Sequence, residues 1–218
     1  KYIMVMGEQT LETQVAVIGG GPGGYAAAFR AADLGMEVAL INQEERLGGV
    51  CLRRGCIPTK ALLDVAHIIE TGIQAREWGI LFSELGIQLE KIRNHKEDVV
   101  DKLVTGLEGM ARAREVQVIR GKAVFESSEI VRIEGKSEFA RVKYQNAILA
   151  SGSSPISLPG VEFKQGGRIM SSAQALDLEE IPDTLLVVGA GYIGLEMGTT
   201  YAALGSRVTL VEMEGDIL

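Results

Sequence analysis

Two cysteines are the only ones in the chain, and they stand five positions apart in Leu47-Gly48-Gly49-Val50-Cys51-Leu52-Arg53-Arg54-Gly55-Cys56-Ile57-Pro58-Thr59-Lys60. A disulfide needs Cα atoms roughly 4.4–6.8 Å apart, whereas residues i and i+5 of a regular helix lie about 8.7 Å apart. A bridge between Cys51 and Cys56 therefore requires a break in any helix that holds both, and Gly55 supplies the backbone freedom for one. A regular helix would then begin near Cys56, with Pro58 accommodated in its first turn. That puts the Cys56 sulfur at the positive end of a helix, where a thiolate is favoured. The residues alone leave two readings open: a redox-active dithiol, or two inert core cysteines, since free cysteine is among the most buried residue types. A zinc site needs four ligands. No second cysteine pair exists, and His67 and His95 fall in helical stretches well away from this one, so no metal is expected.

The elements around this segment set its context. Gln14 to Gly19 is a short β-branched run of the kind that forms a central parallel strand. It enters the turn Gly19-Gly20-Gly21-Pro22-Gly23-Gly24, then an Ala-rich helix ending at Gly35 and a second strand over Val38–Ile41, with Asn42 at its end. This is the strand, glycine turn, helix, strand context of a dinucleotide site, where pyrophosphate approaches backbone N–H groups at the helix N-terminus. The same pattern recurs at a constant offset of 170 positions (189 − 19): Gly19, Gly21 and Gly24 fall on Gly189, Gly191 and Gly194, Gly35 on Gly205, and Asn42 on Glu212. The residue ending the second strand of such a unit ordinarily accepts bonds from ribose hydroxyls. The charge of Glu212 would repel a 2′-phosphate, which favours NAD over NADP at the second unit.

Between the two units, Leu89, Ile92, Val99, Leu103, Leu107 and Met110 recur at helical spacing and predict an amphipathic core helix. Val116–Arg120, Ala123–Glu126, Ile130–Ile133 and Ala140–Ile148 predict short antiparallel strands. Residues 1–13 read as an irregular start, Trp78–Gly86 as a loop and Ser154–Gly167 as a linker or an excursion. Ser171 or Ser172 is placed to cap a short helix ending at Leu176. With 29 acidic against 22 basic side chains and a net charge of −7, neither nucleic acid nor an anionic membrane is an expected partner. The sequence contains neither a signal-peptide h-region nor a run of about 18 apolar residues. A cytoplasmic location follows as an expectation, one in which a lasting disulfide is usually catalytic.

The stretch Gly48-Gly49-Val50-Cys51-Leu52 followed by Gly55-Cys56-Ile57-Pro58-Thr59-Lys60-Ala61-Leu62-Leu63 resembles the redox-active disulfide segment of the flavoprotein disulfide reductases, most closely the dihydrolipoamide dehydrogenases. The resemblance runs from about Gln14 to Leu218. It implies an α/β fold: a Rossmann-like FAD-binding domain over residues 1–155, with a parallel sheet, helices and an antiparallel β-meander. The start of a second, Rossmann-like NAD-binding domain is implied over residues 156–218. Electrons would pass from dihydrolipoamide, or a lipoyl-carrier protein, through a Cys51–Cys56 disulfide and FAD to NAD. The alternatives are a glutathione- or mercuric-reductase-like enzyme, or a flavin- or nucleotide-binding protein without turnover.

The resemblance also implies roles for single residues. Cys51 corresponds to the interchange thiol and Cys56 to the flavin-facing thiol. Lys60 corresponds to a lysine near the flavin that is ion-paired to Glu196. Contacts to FAD are implied for Gly19, Gly21, Pro22 and Gly24 in the turn, for Asn42 at the strand end, and for Gly49, Val50, Cys51 and Lys60 in the redox segment. Gly121 and Ala123, and Ser151 and Gly152, complete that set. Contacts to NAD are implied for Gly189, Gly191, Tyr192, Gly194 and Glu212. This sequence departs from the family pattern at Arg53, where Asn is usual, at Asn42, where Glu is usual, and at Ser151, which replaces Thr but keeps the hydroxyl. The family's catalytic base is a His paired with a Glu near the C-terminus, supplied across a homodimer. Neither His67 nor His95 lies in a matching motif. The 218 residues are therefore expected to be the N-terminal part of a longer dimeric enzyme and to be inactive alone.

Overall fold

Strands whose two faces are both covered read as unbroken apolar runs rather than alternating ones. That is the situation of Val38–Asn42, in which all five residues are buried. The computed structural model describes residues 9–82, 86–135, 137–164 and 166–218. Residues 1–8 of the expected irregular start, 83–85 of the expected Trp78–Gly86 loop and position 165 of the expected linker lie outside the described residues. In chain order the elements are β1 (Gln9–Ile18), α1 (Pro22–Asp33), β2 (Val38–Asn42), α2 (Gly49–Arg54), α3 (Cys56–Gln74), α4 (Leu89–Ala113), β3 (Gln117–Arg120), β4 (Lys122–Phe125), β5 (Ile130–Glu134), β6 (Phe139–Leu149), α5 (Ser172–Leu176), β7 (Thr184–Val188), α6 (Tyr192–Ala203) and β8 (Arg207–Val211). A single 3-10 turn, Ala75–Trp78, follows α3. Among the described residues no helix is long and apolar enough to cross a membrane.

The chain divides into two compact units. Unit 1 comprises Lys1–Arg53 and Asp101–Ser153 and carries a six-stranded sheet in the order β3-β2-β1-β6-β5-β4. The strands β3, β2, β1 and β6 run parallel, while β4, β5 and β6 form an antiparallel meander. Two expectations are corrected here. Val116–Arg120 is not a meander strand: β3 pairs in parallel with β2, Ala39 facing Gln117 through Asn42 facing Arg120. Residues 9–13 are not irregular either, because the eleven-residue β6 is long enough to partner them, with Thr10 opposite Arg141 and Thr13 opposite Tyr144. The core of this sheet is Ala16, Ala39, Ile41, Ile119, Val131, Ile133, Val142 and Tyr144.

Unit 2 comprises Arg54–Val100 and Ser154–Leu218. Its sheet has two parallel strands, β7 and β8, with Leu185 opposite Val208 and Val188 opposite Val211. Leu62, Ile69, Leu176, Leu178, Met197, Tyr201 and Leu204 form its core. Ser171 caps α5 through a capping box with Gln174: the Gln174 N–H donates to Ser171 Oγ, and Ser171 N–H donates to Gln174 Oε1 at 2.8 Å. The carbonyls at the end of α5 also find partners. Tyr201 Oη donates to Ala175 O at 2.8 Å and Lys96 Nζ to Leu176 O at 2.7 Å.

The buried stripe of α4 is shifted from the expected one. Val100, Val104, Leu107 and Ala111 are buried, whereas Leu103 and Met110 are 44% and 46% exposed. Both stripes satisfy the helical period through Leu107. The register that wins also buries Lys96, whose apolar stem is covered while its ammonium reaches a carbonyl.

Candidate redox and dinucleotide sites

Gly55 leaves helical geometry at φ −150°, ψ −115°, and the break separates two helices. Cys51 lies in the six-residue α2, and Cys56 is the first residue of the nineteen-residue α3. The two cysteines are joined as a disulfide. The helix that starts at Cys56 has no side-chain cap, so its first N–H groups and its dipole favour a negative sulfur there. Cys51 is half-buried and Cys56 exposed. Leu52 on α2 and Pro58, Thr59, Ala61 and Leu62 on α3 are buried. This arrangement can do thiol–disulfide exchange: the bond is accessible, and the thiolate released at Cys56 is stabilised.

Within unit 2, Lys60 on α3 reaches Glu196 on α6, Nζ to Oε1 at 2.7 Å. The lysine side chain is 60% exposed and the carboxylate 25%. Such a pair adds little to stability, but it fixes where the ammonium charge sits.

The first glycine turn, in unit 1, is packed to its limit. A β carbon on Gly24 would strike Gly19 O, and one on Gly49 would lie 2.6 Å from Gly21 Cα. Gly19 adopts φ +110°, which favours glycine. The N-cap of α1 is Gly21, with Pro22 next, and no side chain caps the helix. The first helical N–H groups are thus left to a ligand, and the backbone is bare enough for a pyrophosphate to approach. The residues present fit the dinucleotide that the family resemblance implies. The second turn repeats the device in unit 2. A β carbon on Gly194 would strike Gly189 O, Gly189 has φ +101°, and Gly191 caps α6 without a side-chain bond.

Each strand-end residue grips its own turn. Asn42 Oδ1 accepts from Gly20 N–H at 3.2 Å. Glu212 Oε2 accepts from Ala190 N–H at 2.6 Å, and Ala190 is the repeat equivalent of Gly20. Three backbone donors, Ala190 first and then Glu214 and Met213, hold the Glu212 carboxyl below the usual carboxylate range.

The remaining expected positions are scattered around these turns. Gly121 N–H donates to Asn42 O at 2.9 Å, while Ala123 faces Ile133 across β4 and β5 and packs on the core. Val50 is exposed on α2. Ser151 and Gly152 are exposed just after β6, whose exit is tied to β1 by Ala150 N–H donating to Ile18 O at 2.8 Å. Tyr192, 74% exposed, opens α6.

Sequence reasoning overlooked the loop between β2 and α2. Arg46 reaches Asp101 at 2.8 Å, Thr105 at 3.1 Å and Glu108 at 3.3 Å, and the Glu108 carboxylate first, then Asp101, raise its pKa. Arg53, at the position where the family carries Asn, pairs with Glu44 at 2.6 Å. Polar residues one turn apart on α4 could have signalled the first contact, but nothing local in sequence signals the second.

A family model described as pyridine nucleotide-disulphide oxidoreductase matches residues 13–218. The chain is 50% identical over 209 residues to a dihydrolipoyl dehydrogenase of Haemophilus influenzae, covering 95% of this chain and 44% of that protein. A dihydrolipoyl dehydrogenase of Geobacillus stearothermophilus is 43% identical over 215 residues, covering 99% and 45%. Among solved structures, the HOCl-induced flavoprotein disulfide reductase RclA from Escherichia coli is similar with a TM-score of 0.76 and 28% identity, covering 94% of this chain and 43% of that one. The chain thus spans less than half the length of the curated relatives it matches.

Proposed function

The chain belongs to the pyridine nucleotide-disulphide oxidoreductase family, and on that premise we propose that it is the N-terminal part of an FAD-dependent dihydrolipoyl dehydrogenase that passes electrons to NAD. The observation that carries this reading is the Cys51–Cys56 disulfide, placed at the uncapped N-terminus of α3 and following a strand, glycine turn, helix unit. In the proposed exchange, a thiolate of the dihydrolipoyl group attacks Cys51 Sγ. The Cys51–Cys56 bond breaks, and Cys56 leaves as a thiolate held by the helix end. The second substrate thiol attacks the substrate sulfur of the mixed disulfide, and its proton passes to the departing Cys51 sulfur. The substrate leaves as its cyclic disulfide, and Cys51 is left reduced. Two electrons have then moved from substrate to the cysteine pair.

When bound, FAD supplies the relay of that electron pair toward the nicotinamide. The residues that would hold FAD are Gly19, Gly21, Pro22 and Gly24 in the turn, Asn42, then Gly49, Val50, Cys51 and Lys60, together with Gly121, Ala123, Ser151 and Gly152. Lys60, fixed by Glu196, would place positive charge beside the flavin. The turn at Gly189–Gly194, with Tyr192 and Glu212, would hold NAD. In this reading the FAD-binding part covers residues 1–155 and the NAD-binding part begins at 156. The whole protein is a cytoplasmic homodimer that takes dihydrolipoamide or a lipoyl-carrier protein. The test is to purify the full-length protein, identify its extracted cofactor, and assay NAD reduction with dihydrolipoamide. Turnover of glutathione disulfide or Hg(II) with a reduced nicotinamide, and none with dihydrolipoamide, would sink the substrate assignment.

A further inference from the structure

The two strand-end residues occupy the same place in the repeat, yet the loops behind them present opposite backbone groups. After β2 the loop turns carbonyls toward the side chain: Asn42 Nδ2 donates to Glu44 O at 2.8 Å and to Arg46 O at 3.0 Å. After β8 the loop turns N–H groups toward it: Glu212 Oε1 accepts from Met213 N–H at 2.6 Å and Glu214 N–H at 3.1 Å. We propose that Asn42 is a positioning residue of the first dinucleotide site, that the carbonyls of the loop behind it require an amide there, and that a carboxylate at this position weakens the site instead of strengthening it.

The hydrogen-bond inventory supports this. An amide side chain has two N–H donors and one oxygen with two acceptor positions. Both donors of Asn42 are spent on carbonyls, and one acceptor position is spent on Gly20 N–H. The residue is only 6% exposed, so water cannot replace a lost partner cheaply. Gly20 is gripped from the other side as well, since Gly48 N–H donates to Gly20 O at 2.9 Å. Asn42 thereby links the glycine turn, the 44–46 loop and the entry to α2. What it can still offer an adenosine ribose is one acceptor position and no donor. A carboxylate would set the oxygen that replaces Nδ2 against two carbonyl oxygens and lose both bonds.

The charged groups around it do not relieve that clash. The Glu44 carboxylate is acidic and is paired with Arg53, and the Arg46 guanidinium is occupied by Asp101 and Glu108. The inference rests on the dinucleotide reading only for its ligand, and its stability arm stands without it.

The test compares Asn42→Asp and Asn42→Ala with the parent in the full-length protein. Melting of the dinucleotide-free form and FAD affinity are both measured near pH 7, and melting again near pH 4. The expected order of stability near pH 7 is parent, then Asn42→Ala, then Asn42→Asp, with the last melting about 4 °C or more below the parent. The introduced carboxyl is expected to have a folded pKa above its unfolded one, because only its protonated form can donate to Glu44 O or Arg46 O. Its contribution is then present below the unfolded pKa and lost as pH rises through the folded one. Toward pH 4 the Asp variant should therefore recover and match or pass the Ala variant. FAD dissociation constants should rise about tenfold for Asn42→Asp, the equivalent of losing one such bond.

Tighter FAD binding by Asn42→Asp, with melting equal to the parent, would overturn the proposal. So would an unchanged order of the variants at both pH values. If Asn42→Asp fails to fold near pH 7, purification near pH 4 should recover it, and failure at both would count against a polarity effect. If no variant and no parent binds FAD, the dinucleotide reading fails, while the melting order still decides the loop-polarity inference.

Discussion

Reducing the Cys51–Cys56 bond should cost the protein little stability. The bond closes a loop of only six residues, Cys51 to Cys56, and in the chain-entropy treatment such a loop is worth about 2 kcal/mol at 25 °C. Part of this is returned, because the thiolate freed at Cys56 sits at the start of α3 and gains about 0.3–1 kcal/mol from the helix end. No cavity forms, since Cys56 is already exposed and Cys51 half-buried, and the buried faces of α2 and α3 are built from other residues. The expected net loss is about 1–2 kcal/mol, or a melting point lower by about 2–8 °C. Urea unfolding of the full-length protein with and without excess dithiol measures it, and the double variant Cys51→Ser, Cys56→Ser should lose about as much as the reduced parent. A loss above about 4 kcal/mol, or outright unfolding on reduction, would mark the bond as a structural staple and refute the exchange role argued for it.

Three further outcomes follow from the same geometry. Gly24→Ala places a methyl on Gly19 O and should cost about 1–3 kcal/mol together with bound FAD; full flavin content in the purified variant would contradict the turn assignment. Lys96→Met strands the Leu176 carbonyl and should cost about 1–3 kcal/mol, whereas Lys60→Met, at an exposed ammonium, should cost less than about 1 kcal/mol; thermal melts giving equal losses would erase the distinction. The Tyr201 phenol is pushed from 10.0 up to about 12 by burial first and then by Asp177, Glu180 and Glu179, so its contribution is intact below about pH 10 and is lost as pH rises through 12. Tyr201→Phe should therefore cost about 1 kcal/mol near pH 8 and close to nothing near pH 11, and an identical cost at both in urea unfolding would contradict that environment.

The two strand, glycine turn, helix, strand units could be read directly from residue order, because a glycine turn between an apolar run and a helix is a local device and its repetition at one offset leaves little choice. The residues alone left Cys51 and Cys56 open between a redox pair and two inert core cysteines; the family resemblance implied the bridge, and the break at Gly55 followed from it. Pairing between distant segments was not. Nothing in Gln117–Arg120 says that it joins β2 in parallel rather than β4 in a meander, because short β-branched runs look alike until a partner is chosen. Along α4 the apolar count found Leu89, Ile92 and Leu107, which pack inward, but continued through Leu103 and Met110, while the structure buries Lys96, Val100 and Val104. A buried lysine is invisible to a hydrophobicity pattern, since its burial depends on a carbonyl 80 residues away. Asn42 was placed correctly at the end of its strand, and a ribose contact was all that was expected of it. Its bonds to Glu44 O and Arg46 O depend on a loop conformation that no single residue specifies.

Unit 1 is discontinuous along the chain, and this bears on how it can be made. Val15 and Val38 pair across 23 positions (38 − 15), but Gln9 and Phe139 pair across 130 (139 − 9). Closing the longer loop costs about 1.5 kcal/mol more in chain entropy. More important is the order of synthesis: β1, α1 and β2 can associate as soon as they emerge, while the other edge of β1 stays unpaired until nearly a hundred further residues have followed. During that interval an apolar strand is open to any partner, including another nascent chain. The slow step of assembly is then the arrival of β6, and contacts of such high sequence separation place it among the slower-folding topologies.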